Sequence, residues 1–165
     1  YGLFADNDKR KSAYFIVTKN GVIGTGKLKQ TSATVADGGS NIIVLRYADV
    51  LLMLAECYAE KDDVSKSNEY LNLIKKRAGI EEVSIGDATL IKEEIALERR
   101  KELVNEGHRW FDLIRTGKAV EVMNAYFTRT PGYTGITISE LNYVQPIPQG
   151  QIDTDSATKQ NEGYN

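Results

Sequence analysis

The sequence predicts a mainly α chain: irregular tetratricopeptide-like helical hairpins, preceded by a small β-hairpin and followed by long C-terminal loops. Three observations carry this. Apolar residues recur at helical spacing over about 45–59, 64–78 and 88–106, and a short turn joins the first two runs. Two β-prone stretches flank Asn20-Gly21 near the start. From Thr128 onward, Pro131-Gly132, Pro146 and Pro148 interrupt any helical pattern. A single domain is expected, with residues 1–44 as loop and hairpin, 45–126 as helical repeats and 127–165 as an irregular tail.

Taken in order, residues 1–12 are charged and polar and read as loop. Tyr14 to Thr18 then pairs with a strand resuming at Val22, giving a hairpin of about 13–19 with 22–28 across a type I′ turn. The exit of that hairpin nearly spells a phosphate-binding loop in Gly21-Val22-Ile23-Gly24-Thr25-Gly26-Lys27-Leu28. Leu28 replaces the hydroxyl that would hold magnesium, and Thr31 to Ser40 reads as loop rather than helix. Without a helix N-terminus the phosphate loses its aligned N–H donors, so glycines of a hairpin are the better reading.

Ile42 to Leu45 is a short β-prone run leading into a helix through Ala59. That helix is apolar almost all round, which predicts burial, and Arg46, Asp49, Met53 and Glu56 share its polar face. Asp62-Asp63 caps the next helix, 64–78, which packs through Tyr70, Leu71, Ile74 and Ala78 and ends at Gly79. Asp87 or Thr89 caps a third helix over about 88–106. Gly107 allows a break before a short amphipathic helix, His108 to Arg115, with Trp110, Phe111 and Ile114 turned inward. Gly117 ends it, and Lys118 to Tyr126 forms a further helix.

The third helix carries the densest charge in the chain. On its wheel Ile91, Ile95, Glu98, Glu102 and Glu106 share one face, with Arg99 at the edge. Carboxylates at i,i+4 spacing repel unless cations sit between them, and buried ones need partners. Arg46, Arg99, Arg100 and Arg109 are the cations proposed for them. Two readings stand side by side: an acid/base or metal site, and an ion-pair network that locks helices together. The second is commoner in proteins, and the chemical reading lacks a nucleophile, a second His or a ligand spacing nearby. The expected network is Arg46, Asp49, Glu56, Glu98, Arg99 and Glu102, with no catalytic residue, no metal and no cofactor. His108, the one histidine, reads as a capping or hydrogen-bonding residue, and Trp110 as a core anchor.

Composition narrows the partners. With 21 basic and 23 acidic residues the net charge is −2, which speaks against a nucleic-acid surface. No run of about 18 apolar residues is present to form a membrane-spanning helix. Cys57 cannot form an internal disulfide, and its place in an apolar helix predicts a buried, inert thiol rather than a lipid attachment site. The start at Tyr1, without Met, suggests a processed chain or a fragment. Tyr126, Tyr133 and Tyr143 lie in or beside the C-terminal loops and are candidates for stacking on a sugar, though they could equally seal the edge of the domain.

Three blocks, in order, resemble the SusD/RagB family of outer-membrane nutrient-binding lipoproteins. Leu45 to Glu56 resembles the family's arginine-tyrosine helix, and Glu98 to Gly117 its glutamate-arginine-arginine segment. Pro146-Ile147-Pro148 with Gln160 to Tyr164 resembles its closing motif. Asp8-Lys9-Arg10 resembles an Asp-Pro-Arg element, with Lys9 in place of Pro. Asp49 stands where the family usually has Glu, Glu162 where it usually has Pro, and Thr154 to Lys159 lacks the usual Asn-Pro. The resemblance implies the C-terminal part of a SusD-like surface lipoprotein, not an enzyme. Such a protein sits over a SusC-like TonB-dependent transporter and binds oligosaccharides or other nutrients. Its lipid anchor would lie outside this chain. In related proteins the repeats tend to face the transporter, and the sugar-contacting loops lie largely in regions absent here, so no family binding residue carries over. The alternatives are a helical-repeat module that binds only protein, and a carboxylate enzyme using Glu98 and Glu102.

Overall fold

The structure is a computed structural model that describes residues 1–27 and 43–164. The chain divides into two compact units, Tyr1–Arg109 and Trp110–Asn165. As predicted, the described residues are mainly helical with a small two-stranded hairpin. Leu28, the Thr31–Ser40 loop, Ile42 and Asn165 lie outside them.

The first unit opens with a helix where the sequence predicts loop. α1 spans Lys9–Tyr14, and the Asp8 side chain caps it by accepting from the Arg10 N–H. A six-residue helix is marginal alone; it forms here because Arg10 is buried against the rest of the unit. β1 (Phe15–Val17) and β2 (Ile23–Thr25) pair antiparallel, with Phe15 opposite Thr25 and Val17 opposite Ile23. The turn is not type I′, because only Gly21 has positive φ, at 77°. Gly21 N–H donates to the Thr18 carbonyl and Thr18 N–H to the Val22 carbonyl, so three residues make the loop and one left-handed glycine closes it.

α2 (Tyr47–Glu60) and α3 (Val64–Ala78) pack together as a helical hairpin, and α4 (Ala88–Glu102) packs against both. Ala48, Leu51, Leu52, Ala55 and Ala59 of α2 meet Leu71 and Ile74 of α3 and Ile91 and Ile95 of α4. The small residues let the helices close up: the Ser67 hydroxyl of α3 donates to the Ala55 carbonyl of α2 at 2.8 Å. Asp63 caps α3, and Gly79 at φ 75° ends it. The run from Ile80 to Gly86 is fastened to α3 by two carboxamides. Asn68 exchanges paired hydrogen bonds with the Ile85 backbone and Asn72 with the Val83 backbone, at 2.8–3.0 Å.

Several expectations are corrected in this unit. Ile43 to Leu45 forms no strand and is exposed. α2 is not buried all round; Tyr47, Val50, Met53 and Cys57 are exposed. Being apolar says a surface can be buried, not that a neighbour within these residues buries it. α4 ends at Glu102 rather than 106, because Leu103 leaves helical geometry and Asn105 turns left-handed at φ 64°.

In the second unit, α5 (His108–Arg115) continues from the first, Gly117 turns the chain at φ 67°, and α6 (Ala119–Arg129) follows. Leu113 and Ala119 are the buried apolar residues here. Phe111 is not turned inward: it is 69% exposed, while Trp110 and Ile114 are half-buried. The tail is less irregular than expected, with a 3₁₀ turn at Glu140–Tyr143 and α7 at Gln149–Thr154. It is tied down by the same device as the Ile80–Gly86 run. Asn124 exchanges paired hydrogen bonds with the Ile138 backbone, and Gln160 with the Ile147 backbone.

Candidate functional site

The chain's strongest electrostatic feature lies at the C-terminal end of α4. Ile91 and Ile95 put this face against α2 and α3, so one and two turns on, Glu98 and Glu102 are carried into the same interior. Both are fully buried. Glu106 joins them from the turn after α4 rather than from the helix itself.

Glu102 is the hub. Its Oε1 accepts from Arg46 Nη1 at 2.9 Å and from the Tyr14 hydroxyl at 3.2 Å. Its Oε2 meets Arg10 Nη1 at 3.1 Å and Arg77 Nη2 at 2.5 Å. Glu98 Oε1 accepts from Arg10 Nη1 at 2.5 Å, while its Oε2 has no hydrogen bond and faces Lys75 Nζ at 3.9 Å. Lys75 itself pairs with Glu94 at 2.6 Å. Glu106 is held by Arg46 Nε at 2.8 Å and by Lys27. Lys27 also donates to the Glu102 carbonyl, which caps the end of α4, and lies over the Tyr14 ring. Arg46 makes its own cap, Nη2 to the same carbonyl at 2.9 Å.

Arg10 is set by its neighbour two residues back. Asp8 Oδ1 accepts from Arg10 Nε at 2.9 Å and Oδ2 from Nη2 at 2.8 Å, a fork-to-fork pair. Arg10 Nη1 is left free to reach both glutamates. Asp8, Glu94, Glu98, Glu102 and Glu106 therefore face Arg10, Lys27, Arg46, Lys75 and Arg77, five carboxylates against five cations. The balance is what makes the burial tolerable, since one unmatched ion would cost several kcal/mol.

The titration of these groups follows. Burial pushes the Glu102 carboxyl up, but Arg77, Arg46 and Arg10 outweigh it and hold it below the usual range. Glu106 is likewise raised by burial and brought lower overall by Arg46 and Lys27. Asp8 is raised by burial and lowered overall by Arg10. Burial pushes the Lys27 ammonium down, and nearby Arg46 adds to that; Glu106 and Glu102 offset only part. Burial lowers Arg10, but Asp8 and Glu98 more than reverse it, so it stays charged.

Of the residues anticipated from sequence, Arg46 and Glu102 meet directly, Glu98 joins them through Arg10, and Arg99 Nη1 pairs separately with Asp49 at 2.7 Å. Glu56 is half-buried on α2. Arg10, Lys27 and Arg77 were not anticipated. Arg10 had a signal in the Asp8-Lys9-Arg10 spacing; Lys27 sat inside the phosphate-loop lookalike, and its side chain is committed to Glu106. Glu98 and Glu102 are screened from solvent by these cations, so reaching either carboxylate would mean displacing them. No group of three or more His, Cys, Asp or Glu side chains among the described residues could hold a metal.

The tyrosines divide. Tyr126 and Phe127 at the end of α6 are met by Tyr133, which the turn through Gly132 at φ 89° returns to the helix. Phe127 and Tyr133 stack at 5.6 Å, and Tyr126 tilts against Tyr133 at 5.9 Å. Tyr126 is 39% and Tyr133 42% exposed. Tyr143 is apart from them in ring contacts; it is half-buried and meets Trp110 edge-on at 6.1 Å.

The model of the SusD family matches residues 4–164, and the chain belongs to that family. Two SusD-like proteins of Formosa agariphila are similar to it, one 40% identical over 51% of this chain and 18% of its own length, the other 32% identical over 76% and 24%. This chain thus spans less than a quarter of either relative. Among solved structures, surface glycan-binding protein A of Bacteroides thetaiotaomicron is 28% identical, with a TM-score of 0.74 over 98% of this chain and 40% of that one. The same protein in complex with laminarihexaose gives 0.75 over 98% and 39%. A SusD superfamily protein of Bacteroides vulgatus is 31% identical, with a TM-score of 0.62 over 73% of this chain and 27% of that one.

Proposed function

We propose that this chain is the C-terminal helical part of a surface lipoprotein that binds glycans for uptake and works with a SusC-like TonB-dependent outer-membrane transporter. The observation that carries the reading is the likeness, over 98% of the chain, to a glycan-binding protein seen with laminarihexaose. The role is binding rather than catalysis. Glu98 and Glu102, the pair a glycosidase would need, are fully buried and held by arginines.

In this reading the α4 cluster is scaffold. Arg46, Asp49, Glu56, Glu98, Arg99 and Glu102 hold helices in register. Sugar contact on this chain, where it occurs, falls to Tyr126 and Tyr133, whose rings reach solvent; Tyr143 is a poorer candidate because Trp110 covers part of it.

Calorimetric titration tests this, with laminarihexaose and a panel of other oligosaccharides added to this chain and to a longer chain that carries it. Heat from either supports glycan binding. Heat from this chain, lost in Tyr133→Ala, assigns the contact to the α6 loop. Heat from the longer chain alone moves the sugar site outside these residues. No heat from either, over a broad panel, rejects glycan binding and favours a helical-repeat module that binds only protein.

A further inference from the structure

The loop after α6 is built around one unanswered charge. In a chain of which 27% is charged, the fourteen residues from Tyr126 to Ser139 carry a single charged side chain, Arg129. Its guanidinium lies over the Tyr126 ring, 6.0 Å from the centroid. Among the described residues it makes no ion pair or hydrogen bond. The flanking carboxylates are engaged or beyond the loop: Glu121 pairs with Lys118 at 3.1 Å, and Glu140 opens the 3₁₀ turn. The cations of the α4 cluster, by contrast, each have a carboxylate partner.

The loop fixes these groups through its own contacts. Asn124 clamps the Ile138 backbone with paired hydrogen bonds of 3.0 and 2.8 Å. Tyr133 N–H donates to the Thr130 carbonyl at 3.2 Å, and Ile136 N–H to the Tyr133 carbonyl at 3.1 Å. Phe127 stacks on Tyr133. Two exposed rings and an exposed cation are thus set in place before any ligand arrives.

We propose that the α6 loop selects an anionic glycan, whose sugar ring packs on Tyr126 and Tyr133 while its carboxylate or sulfate group takes Arg129. The inference rests on the sugar contact proposed above and adds the charge of the sugar. A guanidinium lying over a ring spends its face and keeps its in-plane N–H donors, a fork that matches two oxygens of one anion. A neutral sugar would leave that fork with water alone.

The test is calorimetric titration with two backbones, each neutral and charged: laminarihexaose with its 6-carboxylated and 6-sulfated forms, and methyl-esterified hexagalacturonate with the free acid. Each is added to this chain and to a longer chain that carries it. The charged form of a backbone is expected to bind at least about 10-fold tighter than the neutral form, the scale of one charge-assisted contact. That preference should shrink as salt rises, fall to near unity in Arg129→Gln and survive in part in Arg129→Lys, with the melting temperature of each variant showing an intact fold. Preference for carboxylated forms alone assigns a uronate, and preference for both kinds assigns an anion of either sort. Equal affinity for neutral and charged forms, or a preference that survives Arg129→Gln, would overturn this inference and leave glycan binding standing. No heat from any sugar would reject both.

Discussion

At the end of α4, Glu98 and Glu102 are fully out of water, and each is matched by cations brought from elsewhere in the unit. Around the end of α6, Tyr126 and Tyr133 remain about two-fifths exposed and are held mainly by one another and by Phe127. The first region is over-determined: Arg10 alone joins Asp8, Glu98 and Glu102, so the loss of one group leaves others charged and dry. The second is forgiving, because an exposed ring that is lost leaves space that water can fill. Strong coupling at the cluster fixes geometry and forbids access. Weak coupling at the aromatic loop leaves surface available to a ligand. The region richest in ionisable side chains is thus the one whose groups are most fully engaged with one another.

The sharpest way to break this contrast is Arg10→Ala. It leaves Glu98 and Glu102 short of a buried partner and should destabilise the chain by about 3–5 kcal/mol. Urea denaturation is the measurement, since guanidinium salt would itself screen the charges. A loss under about 1 kcal/mol would mean that the cluster is open to water. Arg10→Lys should recover only part of the loss, because an ammonium cannot hold both Asp8 oxygens while reaching the glutamates.

Acid is the next probe. Glu102, Glu106 and Asp8 all have native pKa values below their ordinary ones. A lowered carboxylate stabilises the fold fully above its unfolded value, about 4, and that stability is lost as pH falls through the lower native values. Unfolding free energy should therefore hold from neutrality down to about pH 5 and drop below pH 4. Glu102→Gln should flatten that drop; an unchanged slope would remove Glu102 as its cause.

The smallest effect is expected at the other region. Tyr133→Ala should cost about 1 kcal/mol, and a double-mutant cycle with Phe127→Ala should give a coupling of about 0.5–1.5 kcal/mol. A loss approaching that of Arg10→Ala would make the aromatic loop a core, and the proposed sugar contact there would have to be abandoned.

The sequence by itself determined α2 to α6 and where α3 and α5 stop, but not α1 or α7. Asp63, Asp87, Gly79 and Gly117 are local signals, and a cap or a left-handed glycine needs only its own turn to act. It also determined that α4 carries carboxylates on its apolar face, since helical spacing alone places Glu98 and Glu102 after Ile91 and Ile95. Tertiary structure alone decided which cations answer them. Arg10, Lys27 and Arg77 lie 25 to 92 residues away in the chain from Glu102, and no periodicity carries information across that distance. It decided too that α1 forms at all, because a six-residue helix is marginal alone and is held here by the Asp8 cap and the burial of Arg10. And it decided which apolar residues of α2 are covered, because hydrophobicity specifies that a surface prefers contact to water but not the neighbour that supplies it.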